Sequence, residues 1–357
     1  MSDTDAPRGG AEPPLALPAS TVPDPSTAPG LRWGVISPGH IAGQFTATAH
    51  RATASRVVSV VSRSAQRAEA FAASHGIEHA GDSVEQMLAR GGVDAVYIAS
   101  PHAQHHALTR PVLEAGVPVL VEKAFTLNTA QARDLLDVAR DRGVFAMEAM
   151  WARFLPQYDV LRQLLADGLL GEVVEVAADH GQSFPLDPGH RMYAPELGGG
   201  ALLDLGVYPV SFAQMVLGEL GGLAVHGDLT ETGVDAYVAL LARGAHGGRA
   251  RLSSTLRART PTEAVVSGTL GTARLSGPFF APSTLTVSLL DGRSASVEHP
   301  GAPGDGMAYE IAEAARRITA GELESPLMSW KDTLDVMGTM DAIRAALGVV
   351  YPGEEIA

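Results

Sequence analysis

From residue 31 to about residue 150 the chain repeats one unit, a short β-branched run followed by a segment of helical periodicity. The strand-like runs are "LRWGVIS" (31–37), "RVVSVVS" (56–62), "VDAVYIAS" (93–100), "VPVLVEK" (117–123) and "VFAMEAM" (144–150). Helical segments separate them: "HIAGQFTATAHR", "SAQRAEAFAASHG", "SVEQMLARG", "QHHALTRPVLEAG" despite Pro111, and "TAQARDLLDVARDRG". Strands joined through helices cannot be hairpins. They require crossovers, which pack as a parallel, doubly wound sheet. This alternation sets the fold class as α/β, with a Rossmann-type domain over 31–152.

After residue 152 the rhythm changes. "FLPQYDVLRQLLADGLLG" is helical, and longer strands follow: "EVVEVAADHG", "GVDAYVALLARG", "GRARLSSTLRA", "TEAVVSGTLG", "TARLSG" and "TLTVSLL". Short turns between several of them imply an open, mostly antiparallel sheet. A helix near 199–218 interrupts the series, and two more near 307–321 and 329–348 follow. Residues 153–357 therefore read as a second α/β domain for substrate binding and dimerisation. The first 30 residues, rich in Pro, Ala, Ser and Gly, read as a disordered leader without the basic start and apolar stretch of a signal peptide. With 357 residues the chain is long enough for two such domains.

Composition removes several function classes. The formal charge is −14, from 40 acidic and 26 basic residues, against what a nucleic-acid protein needs. No cysteine is present, so disulfides, thiolate metal sites and cysteine nucleophiles are excluded, and a cytoplasmic location fits. No run of about 18 apolar residues suggests a membrane span.

Lys123 closes the apolar strand "VPVLV", at the carboxyl end where open α/β sheets bind ligands. It is either a solvated strand terminus or a group placed for chemistry. "GVISPGHIA" joins the first strand to the first helix, with Ser37, Gly39 and Ala42 at the three positions of the dinucleotide fingerprint. The helix start at His40 and Ile41 would offer N–H donors to a pyrophosphate. The alternative is a structural strand–helix turn. At the end of the second strand an NAD site would carry Asp or Glu for the ribose. Here stand Ser62 and Arg63, with Arg67 one turn later. Either the arginines are solvated helix-start charges or they bind a 2′-phosphate, which favours NADP over NAD. Ser100, His102 and His105 should lie near the nicotinamide end. The histidines at 102, 105 and 106 are not read as a metal site, since 105 and 106 point to different helix faces. Asp204 and Tyr208 stand at i and i+4, which share a face on a helix. A tyrosine beside a lysine can act as acid and base. Otherwise Asp204 caps a turn and Tyr208 is a core aromatic.

Taken together, "RWGVISPGHIA", "VDAVYIASPHAQHH", "VLVEKAFTLN", "FAMEAMWARFLP", "GGGALLDLGVYPVSF" and "ESPLMSW" make the chain from 32 to 352 resemble the Gfo/Idh/MocA oxidoreductases. The likeness is greatest to the dihydrodiol dehydrogenase and NADP-linked xylose dehydrogenase branch. The resemblance implies that Glu122 and Lys123 match the family's E-K-P motif, with Ala124 in place of the proline, and that Lys123 meets the reacting hydroxyl and the nicotinamide ribose. It implies that Tyr208 is the catalytic tyrosine and Asp204 its acidic neighbour. It assigns Trp151 to the substrate wall, with Arg153 beside it in the sequence as a further substrate contact. Ser37, Gly39 and Ala42 then match the cofactor turn, and Ser62 and Arg63 the 2′-phosphate site. Lys123 is expected to lower the pKa of Tyr208. The expected reaction is NADP-linked hydride transfer with a sugar, polyol or cyclic trans-diol, in a homodimer without nucleic-acid or membrane partners. The alternatives are an NADP-binding sensor without turnover and a sugar-modifying enzyme that oxidises transiently.

Overall fold

The computed structural model describes residues 13–301 and 303–354. Six parallel strands form the first sheet: β1 Arg32–Ile36, β2 Arg56–Val61, β3 His79–Gly81, β4 Ala95–Ile98, β5 Val119–Glu122 and β6 Ala146–Ala149. Their order is β3-β2-β1-β4-β5-β6, the doubly wound arrangement with its switch point between β1 and β4. The crossovers run through α1 His40–Ala52, α2 Ala65–His75, α3 Val84–Arg90, α4 His102–Glu114 and α5 Thr129–Arg142. Every residue of β4, β5 and β6 is buried, because helices cover both faces and leave no side for polar alternation. Phe45 of α1 stacks on Tyr97 of β4 at 3.9 Å between ring centroids, and Trp33 of β1 meets Phe45 edge-on at 5.4 Å.

α6 Pro156–Ala166 leads into an eight-stranded sheet made of β7 Val173–Gly181, β8 Leu220–Leu229, β9 Asp235–Gly244, β10 Arg249–Thr255, β11 Ala264–Gly268, β12 Gly271–Leu275, β13 Thr284–Leu289 and β14 Ser294–Glu298. The order is β14-β13-β12-β11-β7-β10-β9-β8. All its neighbours are antiparallel except β7 and β10. The connection between those two contains α7 Val207–Leu217, which packs back on both strands and on α9 Trp330–Leu347. The stretch Pro195–Leu217 is long and apolar enough to cross a membrane by composition, but 83% of its most apolar window is buried inside the protein. Its apolarity is that of a core helix.

The last helices return to the first unit. α8 Met307–Thr319 packs against α1 and against a short 3₁₀ turn at Trp151–Phe154. The indole N–H of Trp330 donates to the carbonyl of Ala146 in β6 at 2.9 Å. Buried side chains of both sheets consequently form one continuous cluster.

Two sequence readings change. The strands β3, β8 and β14 were not expected, and each lies at the edge of its sheet. Edge strands have one unpaired side and need less apolar sequence; β8 is also broken by Gly221, Gly222 and Gly227. The leader expectation fails for residues 13–30, while residues 1–12 lie outside the described residues. Residues 13–30 form an ordered strap. Ser20 Oγ, Thr21 N and Thr21 Oγ1 donate to Asp159 of α6 at 3.1, 2.6 and 3.1 Å. Arg316 of α8 donates to the carbonyl of Asp24 at 2.9 Å, and Ala28 is buried. A composition poor in large apolar residues was read as disorder, but here hydrogen bonds to two helices fix the chain. Asp159→Ala should cost about 1–3 kcal/mol, because it removes the charged acceptor these bonds share. Urea denaturation would register the loss, and limited proteolysis should then cut within 13–30.

Candidate active site

At the cofactor end, the turn after β1 reverses through Ser37, whose φ is 75°. This is the left-handed region that glycine normally fills. Ser37 therefore reproduces the shape of the missing first glycine, and its N–H ties the turn to Val61 of β2 at 2.9 Å. Gly39 caps α1 in an extended conformation with no side-chain hydrogen bond, and a Cβ there would meet nothing within 4 Å. The first N–H groups of α1, at His40, Ile41 and Ala42, have no side-chain acceptor among the described residues. That is the form of an anion cradle. Ala42 is fully buried beneath it, His40 is exposed beside Gln44, and Ile41 is half-buried.

At the end of β2, Ser62 bonds through its N–H to Gly81, and its hydroxyl accepts from Ser64 N. Arg63 is exposed, and Arg67 reaches back from α2 to the carbonyl of Pro38 at 3.1 Å. Two arginines, and no carboxylate within residues 62–67, therefore follow β2, the strand whose end meets the ribose of a dinucleotide in this fold. The residues present fit a dinucleotide, and the charge fits one carrying an additional phosphate.

The nicotinamide end is built differently from the sequence reading. Ser100 lies at the β4 terminus, nearly buried, its hydroxyl without a partner among the described residues. His102 is buried, with Nδ1 2.9 Å from the carbonyl of Gly198. Burial lowers its pKa to about 3, so it is a neutral donor. His105 does not face the groove. It is fully buried, with Nε2 2.8 Å from the Ser100 carbonyl and Nδ1 3.0 Å from that of Ala124. It staples the loop after Lys123 to the end of β4. His106 turns away to Asp134 at 2.7 Å.

Lys123 is the centre of the arrangement. Its Nζ donates to the carbonyl of Asp204 at 2.7 Å and to the Asp204 carboxylate at 3.1 Å, and it stands 5.0 Å from the centroid of the Tyr208 ring. The peptide after it, Lys123–Ala124, is cis. Glu122 is buried behind it, accepting from Tyr97 and from the N–H of Lys123. Burial pushes the Glu122 carboxyl upward. Burial alone would also raise Asp204, but Lys123, then Arg191 and His102, hold it well below the usual carboxylate range.

Tyr208 is buried. Its oxygen accepts from the indole N–H of Trp151 at 2.9 Å, and its ring stacks on Phe280 at 4.3 Å. His180 lies 5.6 Å from the tyrosine ring, with Nδ1 3.2 Å from the carbonyl of Leu205. Because Trp151 supplies the donor, the hydroxyl hydrogen of Tyr208 is left to be given elsewhere.

Three expectations need correction here. Asp204 and Tyr208 do share a side, but the turn that carries Asp204 is not α-helical. Asp204 lies in a π-helical turn, Leu202–Gly206, and Tyr208 is the second residue of α7. Lys123 joins them, touching the carboxylate of one and the ring face of the other. Nor is Tyr208 lowered by Lys123. Burial first, then Glu122 and Asp204, raise it well above its ordinary value, and Asp204 neutralises the lysine. Arg153, expected at the substrate, has its guanidinium committed within the protein. It is buried, bonded to Ser211 at 3.0 and 2.9 Å and paired with Asp332 at 3.5 Å, so it ties the Trp151 turn to α7 and α9. Sequence reasoning also missed Phe280, His180 and Arg191. They come from a loop before β13, the end of β7 and a Pro/Gly-rich loop, where no periodicity or spacing marks them.

Residues 31–150 match the oxidoreductase family with an NAD-binding Rossmann fold, and residues 158–274 match the GFO/IDH/MocA C-terminal domain. Trans-1,2-dihydrobenzene-1,2-diol dehydrogenase of Xenopus tropicalis is 34% identical over 330 residues, 90% of this chain and 99% of that protein. The Homo sapiens protein of the same name is 34% identical over 336 residues, 91% and 99% of the two chains. Among solved structures, the 3-ketoreductase KijD10 of Actinomadura kijaniata, in complex with NADP and TDP-benzene, is 28% identical over 88% of this chain and 97% of its own, with a TM-score of 0.77. The Rossmann sheet and the second sheet thus agree with the sequence comparisons: the chain belongs to the Gfo/Idh/MocA family of oxidoreductases.

Proposed function

We propose that this oxidoreductase uses NADP to move a hydride between nicotinamide and a secondary alcohol or ketone of a sugar, polyol or cyclic trans-diol. The observation that carries the reading is the Lys123–Asp204 pair, buried against Tyr208 at the carboxyl end of β5. The uncapped start of α1 would hold the pyrophosphate, and Arg63 and Arg67 the 2′-phosphate. Bound NADP supplies the hydride acceptor, or as NADPH the donor; the chain supplies alignment and the proton. Two of the three N–H groups of Lys123 go to Asp204, which leaves one for the oxygen on the reacting carbon. That N–H stabilises negative charge on the oxygen as hydride leaves or arrives. Tyr208 exchanges the hydroxyl proton with the same oxygen. Trp151 and Phe280 fix its ring and form an apolar wall suited to a sugar or diol ring.

A raised Tyr208 is protonated through the neutral range. Ketone reduction, which needs the donor form, should then be flat with pH, and alcohol oxidation should rise with pH. Rates in both directions across a pH series, with a panel of sugars, polyols and cyclic trans-diols, check this. Lys123→Met should lower kcat more than tenfold, a barrier change above ~1.4 kcal/mol, while NADPH fluorescence still reports binding. Near-normal turnover would return Lys123 to a structural role.

Arg63→Ala should weaken NADP by about 1.5–3 kcal/mol, the worth of a charge-assisted contact, and leave NAD unchanged. Equal loss of both cofactors in a binding titration would remove the phosphate assignment.

The outer face of the second sheet supports a homodimer. Ala177, Ala239, Leu241, Ser253 and Val265 line a concavity of about 650 Å³, and Leu241 is 55% exposed. Small side chains flanking an exposed leucine fit the same face of a second copy about a two-fold axis. Light scattering should give twice the 37.1 kDa chain mass; a monomer at micromolar concentration would refute the pairing.

A further inference from the structure

The Lys123–Asp204 pair has a third member that the chemistry above does not use. Arg191 lies on the segment between β7 and the π-helical turn. Its Nη1 and Nη2 donate to Oδ1 and Oδ2 of Asp204 at 3.3 and 3.1 Å. The segment that carries it is pinned. Gly200 N donates to Met192 O at 2.9 Å, and Tyr193 Oη to Phe184 O at 2.8 Å. Gly199 lies so close beneath that a Cβ there would stand 2.8 Å from the Arg191 carbonyl. The arginine is therefore held by the fold at the catalytic pair.

Exposure rises along this row of charges. The side chains of Lys123 and Asp204 are 12% and 13% exposed, and that of Arg191 is 51% exposed. Two of the five N–H groups of a guanidinium go to Asp204, leaving three. Both oxygens of Asp204 are engaged by cations, so this side of the site presents spare donors. Lys123 Nζ and Arg191 Nη1 flank the same oxygen, Oδ1, at 3.1 and 3.3 Å. They cannot be farther apart than those two bonds laid end to end. Two donors that close suit two oxygens on adjacent carbons.

We propose that Arg191 sets substrate specificity by binding the hydroxyl on the carbon next to the reacting one, so that the site selects vicinal diols. The inference rests on Lys123 meeting the reacting oxygen. Sugars and cyclic trans-diols share this chemistry, and the test separates them.

The experiment compares trans-cyclohexane-1,2-diol with cyclohexanol, and an active sugar with its counterpart lacking the neighbouring hydroxyl. It uses the wild type, Arg191→Ala and Arg191→Lys, with melting temperature and NADPH affinity measured in parallel. The wild type should prefer the vicinal member of at least one pair by about ten- to a hundredfold in kcat/KM, the range of one charge-assisted hydrogen bond. Which pair shows the preference identifies the source. Arg191→Ala should abolish that preference by slowing the vicinal substrate beyond any loss that both members share through Asp204, and Arg191→Lys should restore part of it. A preference that survives in Arg191→Ala, a wild type with none, or equal loss for both members of a pair would overturn the proposal. Calorimetric binding of each pair to the NADPH-loaded protein reads the same preference without turnover. Failure of the oxidoreductase reading therefore shows as absent catalysis, and failure of the Arg191 assignment as absent discrimination.

Discussion

The site depends on one buried ion pair. Lys123 ends a strand of the first sheet, and Asp204 lies in the π-helical turn ahead of α7, which packs on the second sheet. Neither partner could be buried alone, since an unpaired charge away from water is strongly unfavourable. The pair therefore requires the two units to meet in one register. The wide turn at Leu202–Gly206 serves that register by leaving the Asp204 carbonyl for the lysine, and Gly206 lets the turn approach Ser254 of β10 so closely that a Cβ would lie 2.9 Å from Oγ. The geometry of the proposed site and the attachment of the two units are thus the same contact.

Around this pair the protein buries further acids without cations of their own. Glu122 and Glu310 are buried and raised by burial, and Glu148 is raised to about 7 for the same reason. Neither oxygen of Glu310 has a partner among the described residues. None of these acids is ion-paired with Lys123, whose carboxylate partner among the described residues is Asp204. Glu122 and Glu310 oppose ionisation of Tyr97 and Tyr208, both raised well above their ordinary values, burial being the larger cause. The environment of Tyr208 therefore favours its protonated form, which in the proposed reaction is the form that reduction needs.

Much of this was legible in the sequence, for physical reasons that also mark where it was not. Buried parallel strands need unbroken β-branched runs, so β1, β2, β4, β5 and β6 stand out, whereas the edge strands β3, β8 and β14 do not. Lys123 was visible because a charge after "VPVLV" is rare, and Tyr208 because a long motif surrounds it. Arg153 misled because its neighbour Trp151 lines the site; in a tight 3₁₀ turn, residues two apart point in different directions. His105 misled in a similar way, being close in sequence to His102 but committed to backbone carbonyls. Arg191, His180 and Phe280 owe their places to tertiary folding. No local pattern could announce an arginine that meets Asp204 from 13 residues away through a loop.

The strap gains its meaning from α8. That helix touches α1, whose start forms the anion cradle, and the 3₁₀ turn that presents Trp151 to Tyr208. It is the one piece of packing in contact with both the cofactor helix and the substrate wall among the contacts described above. Any displacement of α8 would move these two ends relative to each other, and misalignment at the ångström scale is costly in hydride transfer. The strap crosses its outer side, bonded to Arg316 of α8 and to Asp159 of α6, while Arg51 of α1 pairs with Asp305 just before α8 begins. Pro- and Ser-rich sequence suits this task. It supplies no core of its own, but an extended segment presents its backbone and hydroxyls along its length, and can tie two helices at points that a compact element could not reach together.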